Sequence, residues 1–110
     1  MKIEPYIASC AAEAALATPG VKRMAEEEGE LHVNLLSKDN IFNKGVKVSK
    51  NKKGDLVLDV YIIAIYGTKI PQLAWELQRK IQWDVVMTTG IKIDEINIHV
   101  EGVDIQEVEA

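Results

Sequence analysis

The chain has a single cysteine, Cys10. No disulfide can form within it, and nothing in the sequence calls for an oxidising compartment. Cys10 lies among alanines, the setting of a small buried hydrophobe; a reactive thiol needs electropositive surroundings. Aromatic residues make up only 5 % of the chain, too few for the stacking platforms that single-strand nucleic-acid binders use. The 7 glycines are scattered and match neither GxGxxG nor the phosphate-binding GxxxxGK(S/T) pattern, which argues against a nucleotide cofactor. Long apolar runs are also missing. The longest, residues 60–66, falls far short of the roughly 20 residues of a membrane helix. The opening Met1-Lys2-Ile3-Glu4-Pro5 is acidic and broken by proline, unlike a signal peptide. A cytoplasmic location is the expectation, without direct membrane insertion.

What remains is a chain of 110 residues, 47 % hydrophobic, with a formal net charge of −4. That length suits one domain covering residues 1–110. The hydrophobic fraction, mostly Ile, Val, Leu and Ala, suffices for a core. The negative charge disfavours nonspecific binding to nucleic acid or anionic lipid.

Pro5 stands where a helix can start, because its fixed φ suits the first turn. Residues 6–17 follow as an alanine-rich helix with Ile7, Cys10, Ala11 and Ala14 on one stripe, ended by Thr18-Pro19-Gly20. Residues 24–43 are the hardest to read: Glu26-Glu27-Glu28-Gly29 suits a solvated turn, and residues 31–36 suit a short strand or a helix equally. Residues 44–50 alternate, with Val46 and Val48 on one side, and predict a half-buried strand. Asn51-Lys52-Lys53-Gly54 then forms a hairpin turn. Residues 55–66 give the strongest strand signal, apolar on both faces except at Asp59, so that both faces require cover. A second helix runs from Pro71 towards Thr88-Thr89-Gly90. Residues 95–102 are the last strand, with Ile96, Ile98 and Val100 opposite Asn97, His99 and Glu101. The sum is an α+β fold in the order helix-strand-strand-helix-strand. It has a small, mainly three-stranded mixed sheet with the helices packed on one face.

Chemistry needs convergent polar groups, and few are in view. The histidines are His32 and His99. One histidine beside Glu101 is not a metal site, since zinc takes three or four ligands, and neither histidine can be placed near Cys10. No catalytic, cofactor-binding or metal-ligating residue is assigned, and no enzymatic activity is expected. Lys44, Lys47, Lys50, Lys52 and Lys53 make a basic hairpin that reads as a solvated surface. A small nucleic-acid-binding module using this hairpin is the alternative function.

The second helix carries more information. At 100° per residue, Leu73, Ala74, Leu77, Ile81 and Val85 gather on one side as the core stripe. Trp75, Arg79, Trp83 and Val86 gather on the other, with Gln82 beside them. Both tryptophans of the chain are therefore off the core face, flanking an arginine, and Trp and Arg are enriched at binding hot spots. These four residues are the candidate partner-binding site. The competing reading is internal cover of this face by residues 24–43.

Several segments taken together resemble the alkaline-shock family of envelope stress-response proteins of Gram-positive bacteria. They are the small-residue helix from Ile7 to Pro19-Gly20-Val21, Lys44-Gly45-Val46-Lys47-Val48, Asp59-Val60-Tyr61 through Tyr66-Gly67, Ile70-Pro71 with Leu73-Ala74, and Thr89-Gly90 followed by Ile96-Asn97-Ile98-His99-Val100-Glu101-Gly102-Val103. The resemblance implies a non-enzymatic cytoplasmic protein of cell-envelope homeostasis. It further implies a homo-oligomer, a small membrane-anchored protein partner that brings it to the membrane, or both. Trp75 and Trp83 depart from the family pattern, which has polar residues there. The function expected is a non-catalytic stress-response or scaffold role, exercised through self-association or partner binding.

Overall fold

The structure, a computed structural model, describes residues 3–25 and 41–106. The readings of residues 26–29 and 31–36, and His32, lie outside the described residues. The elements are α1 (Glu4–Leu16), β1 (Val21–Met24), β2 (Ile41–Asn43), β3 (Val46–Lys50), β4 (Leu56–Ile65), α2 (Ile70–Thr89) and β5 (Glu95–Asp104).

Proline occupies the first turn of both helices, where the missing N–H costs nothing. α1 buries Ile7, Ala8, Ala11, Ala12, Ala14 and Ala15. A face built from alanine lets the helix lie close to its neighbours. Cys10 is half-buried at the margin of this face, less enclosed than its alanine setting suggested. The buried Thr18 hydroxyl donates to the Ala14 carbonyl at 2.9 Å, satisfying one of the orphan acceptors at the helix end. α2 stops at Gly90, whose φ of 74° is left-handed and whose N–H donates to the Val86 carbonyl at 2.8 Å. That is the common glycine ending.

Strand β4 is the axis of a five-stranded sheet. Along one edge it pairs in parallel with β5, from Val57↔Glu95 to Ile65↔Asp104. Along the other edge it pairs antiparallel with β3 over Leu56–Val60 and with β1 over Ile62–Ala64. Between those two stretches the Tyr61 backbone joins β1 to β3: its N–H donates to the Gly45 carbonyl and its carbonyl accepts from Ala25, both at 2.9 Å. β2 extends the sheet beyond β3. The β3–β4 turn forms around Asn51, whose side-chain oxygen accepts from the N–H groups of Lys53 and Asp55.

The expected class, sheet character and placement of helices on one face are those observed. Among the described residues five strands rather than three make up the sheet, with β1 and β2 added. β1 has no two-residue rhythm, because a bulge between Val21 and Arg23 puts its buried residues, Val21 and Met24, three apart. β2 has only 3 residues, too few to show a period. Two glycines make the seams possible. A Cβ on Gly20 (φ +105°) would lie 2.8 Å from Thr68 Cγ2, and one on Gly45 (φ +82°) 2.9 Å from Met24 Cβ and 3.2 Å from the Tyr61 carbonyl.

The main core lies between helices and sheet. Leu58, Val60, Ile62 and Ala64 of β4 meet the alanine face of α1 and the Leu73, Leu77, Ile81 and Val85 stripe of α2. On the opposite face Tyr61 and Ile63 form a second, small buried cluster with Ala25. Both apolar faces of β4 are thus covered, as its composition required.

Candidate association surface

Packing the α2 stripe onto the sheet turns Trp75, Arg79 and Trp83 outward. Trp75 is 56 % exposed and Trp83 66 %; Val86 is half-buried beside them. The Arg79 guanidinium carbon lies 4.6 Å from the centre of the Trp75 ring, a cation–π stack that holds both side chains in place. Met87, also 66 % exposed, continues the stripe one turn beyond Trp83, and the sequence reading had passed over it. Its spacing, four residues beyond Trp83 in the series 75, 79, 83 and 87, is the signal that could have found it. Lys80 is held by Asp84 at 3.4 Å, and Gln72 donates to Glu76 at 3.1 Å.

Trp75, Arg79, Lys80, Trp83 and Val86 line one wall of an open groove of about 1000 Å³ whose other wall is the start of β5, from Asp94 to Asn97. Two glutamines tie the walls together. Gln78 Nε2 donates to the Ile96 carbonyl at 2.9 Å. Gln82 donates to the Ile93 carbonyl at 2.7 Å and accepts from the Ile93 N–H at 3.0 Å. The groove is therefore rigidly based. Its polar backbone floor is partly satisfied from the helix, and its rim carries two large apolar rings.

A second cluster lies on the far face of the sheet. Asp59 of β4 accepts from Asn97 at 3.3 Å, meets His99 Nε2 at 2.8 Å, and pairs with Lys47 of β3 at 3.7 Å. The His99 ring stacks on Tyr61 at 4.6 Å with 13° between planes. Burial, then the charges of Asp59 and Glu101, push the Tyr61 hydroxyl from 10.0 up to about 12. Sequence reading placed His99 on the polar side of its strand but did not join it to Asp59, because the pairing depends on the parallel register of β4 and β5. This arrangement gives one half-buried carboxylate three polar neighbours, of which Lys47 supplies the countercharge, and it leaves no nucleophile positioned beside a base. Among the described residues no group of three His, Cys, Asp or Glu side chains is placed to hold a metal ion, and no helix is long and apolar enough to cross a membrane.

The lysine hairpin is only partly free. Lys44 Nζ donates to Ser9 Oγ at 2.9 Å and Lys47 pairs with Asp59, while Lys50, Lys52 and Lys53 are exposed.

Comparison with known proteins places the chain in a family. Residues 2–105 match the model of the ASP23 family, described as having a cell envelope-related function. The chain belongs to that family. The kinship suggested by its small-residue first helix and its strand segments is thereby shown. Relatives include the uncharacterized protein YloU of Bacillus subtilis (strain 168), 41 % identical over 70 residues, 63 % of this chain and 56 % of that protein. A second is the uncharacterized protein YqhY of the same strain, 33 % identical over 92 residues, 82 % of this chain and 67 % of that protein. A third is the uncharacterized protein Spy1535 of Streptococcus pyogenes serotype M6, 32 % identical over 60 residues, 54 % of this chain and 46 % of that protein. The chain spans about half to two thirds of the curated relatives it matches. No solved structure matches it.

Proposed function

We propose that this protein is a non-catalytic member of the ASP23 family that serves the cell envelope, in a stress-response or scaffold role, by association through the Trp75–Arg79–Trp83–Val86 face. The observation that carries this reading is the pair of exposed tryptophans on a helix whose core stripe is already complete. A Trp side chain presents on the order of 150–250 Å², and each of the two residues is more than half exposed. At about 25 cal/mol per Å², covering both returns on the order of 5 kcal/mol before the entropic cost of association. Self-association and capture of a membrane-anchored protein both use such a surface, and the cell location proposed is cytoplasmic, at the membrane through that partner. The lysine hairpin supports a nucleic-acid reading less well, because two of its five lysines are engaged within the domain and the chain as a whole is acidic.

Fractionation of the protein's own cells tests the reading. Wild type should divide between the soluble and envelope fractions, and the Trp75→Gln/Trp83→Gln variant should move to the soluble fraction at unchanged abundance. An unchanged distribution would refute it.

A further inference from the structure

Strand β5 has a second edge. Among the described residues it pairs with β4 alone. The direction of its backbone groups follows from β4. Tyr61 turns its N–H and carbonyl towards β3 and β1, so in an alternating strand Leu58, Val60 and Ile62 turn theirs towards β5. With Leu58 opposite Ile96, the residues of β5 that bond to β4 are Glu95, Asn97 and His99. Ile96, Ile98 and Val100 point their N–H and carbonyl groups at the free edge. The bond from Gln78 to the Ile96 carbonyl agrees with this, for Gln78 approaches from that side. The free stretch ends at the bulge where Ile62↔Val100 gives way to Ile63↔Gly102, a usual device for closing an edge.

This edge begins at the tryptophan groove, whose β5 wall includes Ile96 and Asn97. Its two sides differ. Towards the helices stand Ile96, Ile98 and Val100, which join the main core. Towards the far face stand Glu95, Asn97, His99 and Glu101. Across residues 93–106 there are four acidic residues, Asp94, Glu95, Glu101 and Asp104, and no lysine or arginine. The helix cations nearby are engaged, Arg79 on Trp75 and Lys80 with Asp84.

We infer that an extended segment of a partner protein, alternating apolar and basic residues, adds as a strand to the Ile96–Val100 edge of β5. Its backbone satisfies the Ile96 N–H and the edge-facing groups of Ile98 and Val100, while the Ile96 carbonyl keeps its bond from Gln78. Its apolar side chains fall on the helix side, into the groove walled by Trp75 and Trp83. Its basic side chains fall on the far face beside the exposed Glu95, where opposite charges on neighbouring strands attract. The same charge pattern disfavours a second copy's β5 as the occupant, because two-fold pairing about Ile98 sets Glu95 of one copy opposite Glu101 of the other. This inference rests on the tryptophan face being an association surface, and it names the segment that face receives.

The test uses wild-type protein and a short capped peptide alternating lysine with isoleucine and valine, with binding followed by tryptophan fluorescence and by amide hydrogen exchange. Binding should slow exchange at Ile98 and Val100. N-methylation of the peptide at the residues that bond to the edge should weaken binding at least about tenfold, the effect of roughly one to two lost hydrogen bonds. Exchange of each peptide lysine for glutamate should abolish binding. Absence of binding by the lysine peptide, equal binding of the N-methylated form, or equal binding of the glutamate form would each overturn strand addition. If the peptide fails to bind wild type while the assembly state still depends on Trp75 and Trp83, strand addition falls and the association face stands. If the assembly state is indifferent to those tryptophans, the association face itself falls.

Discussion

Replacement of Ile62 by alanine tests whether the core has been placed on the correct face of the sheet. Ile62 sits mid-strand in β4, opposite Met24 on one side and Val100 on the other, fully buried among the residues that meet both helices. The substitution removes three carbons. At about 0.8 kcal/mol per buried CH₂ the transfer loss is near 2.4 kcal/mol, and the void left under two packed helices raises the total into the range of about 2–5 kcal/mol. A domain of this size holds only about 5–15 kcal/mol in all, so the variant should lose a large share of its stability. Urea denaturation followed by tryptophan fluorescence measures it. Ile62→Val, which removes one carbon, should cost about 0.5–1.5 kcal/mol. Ile105→Ala, at a residue 72 % exposed, should stay within about 0.5 kcal/mol. A midpoint for Ile62→Ala equal to that of Ile105→Ala would refute the facing assigned to β4.

Gly45→Ala should destabilise more than Gly54→Ala: both positions have positive φ, but a Cβ at Gly45 strikes Met24 while one at Gly54 meets nothing within 4 Å. Thermal unfolding of the two variants checks the order. Gln82→Ala strips both partners from the Ile93 backbone and should cost about 1–3 kcal/mol, with faster hydrogen exchange at Ile93 as the readout. Tyr61 makes stability fall at alkaline pH. Its hydroxyl titrates near 12 in the folded chain against 10.0 ordinarily, so its contribution is complete below pH 10 and is lost as pH rises towards 12, by up to about 3 kcal/mol. Denaturation midpoints at pH 9 and pH 11 should show a steeper loss for wild type than for Tyr61→Phe, and parallel losses would contradict the assignment.

The parts of the fold that could be read from the sequence are those with a period. The β3–β4 hairpin declared itself through Val46, Val48 and the Asn51–Gly54 turn, and α2 through Leu73, Leu77, Ile81 and Val85. The outward placement of Trp75 and Trp83 followed from those same 100° steps once the core stripe was complete, and the structure has both rings exposed. What the sequence hid depends on register and on contacts distant in the chain. The bulge in β1 erased its alternation. The Asp59–His99 contact spans 40 residues and exists only because β4 and β5 run parallel with Asp59 opposite Asn97. Nothing in the sequence marks Gln78 and Gln82 as partners of the β5 backbone; only the position of β5 beside α2 makes them so.

The account stands on the Trp75–Trp83 face being a surface that other protein covers. Sedimentation velocity of a fluorescently labelled chain, both purified and in a lysate of its own cells, addresses it directly. Wild type should sediment in the lysate as a species heavier than the 12.2 kDa chain. The Trp75→Gln/Trp83→Gln variant should return to the monomer with its thermal midpoint nearly unchanged. A double variant that unfolds, or one that sediments as wild type does, would contradict the claim.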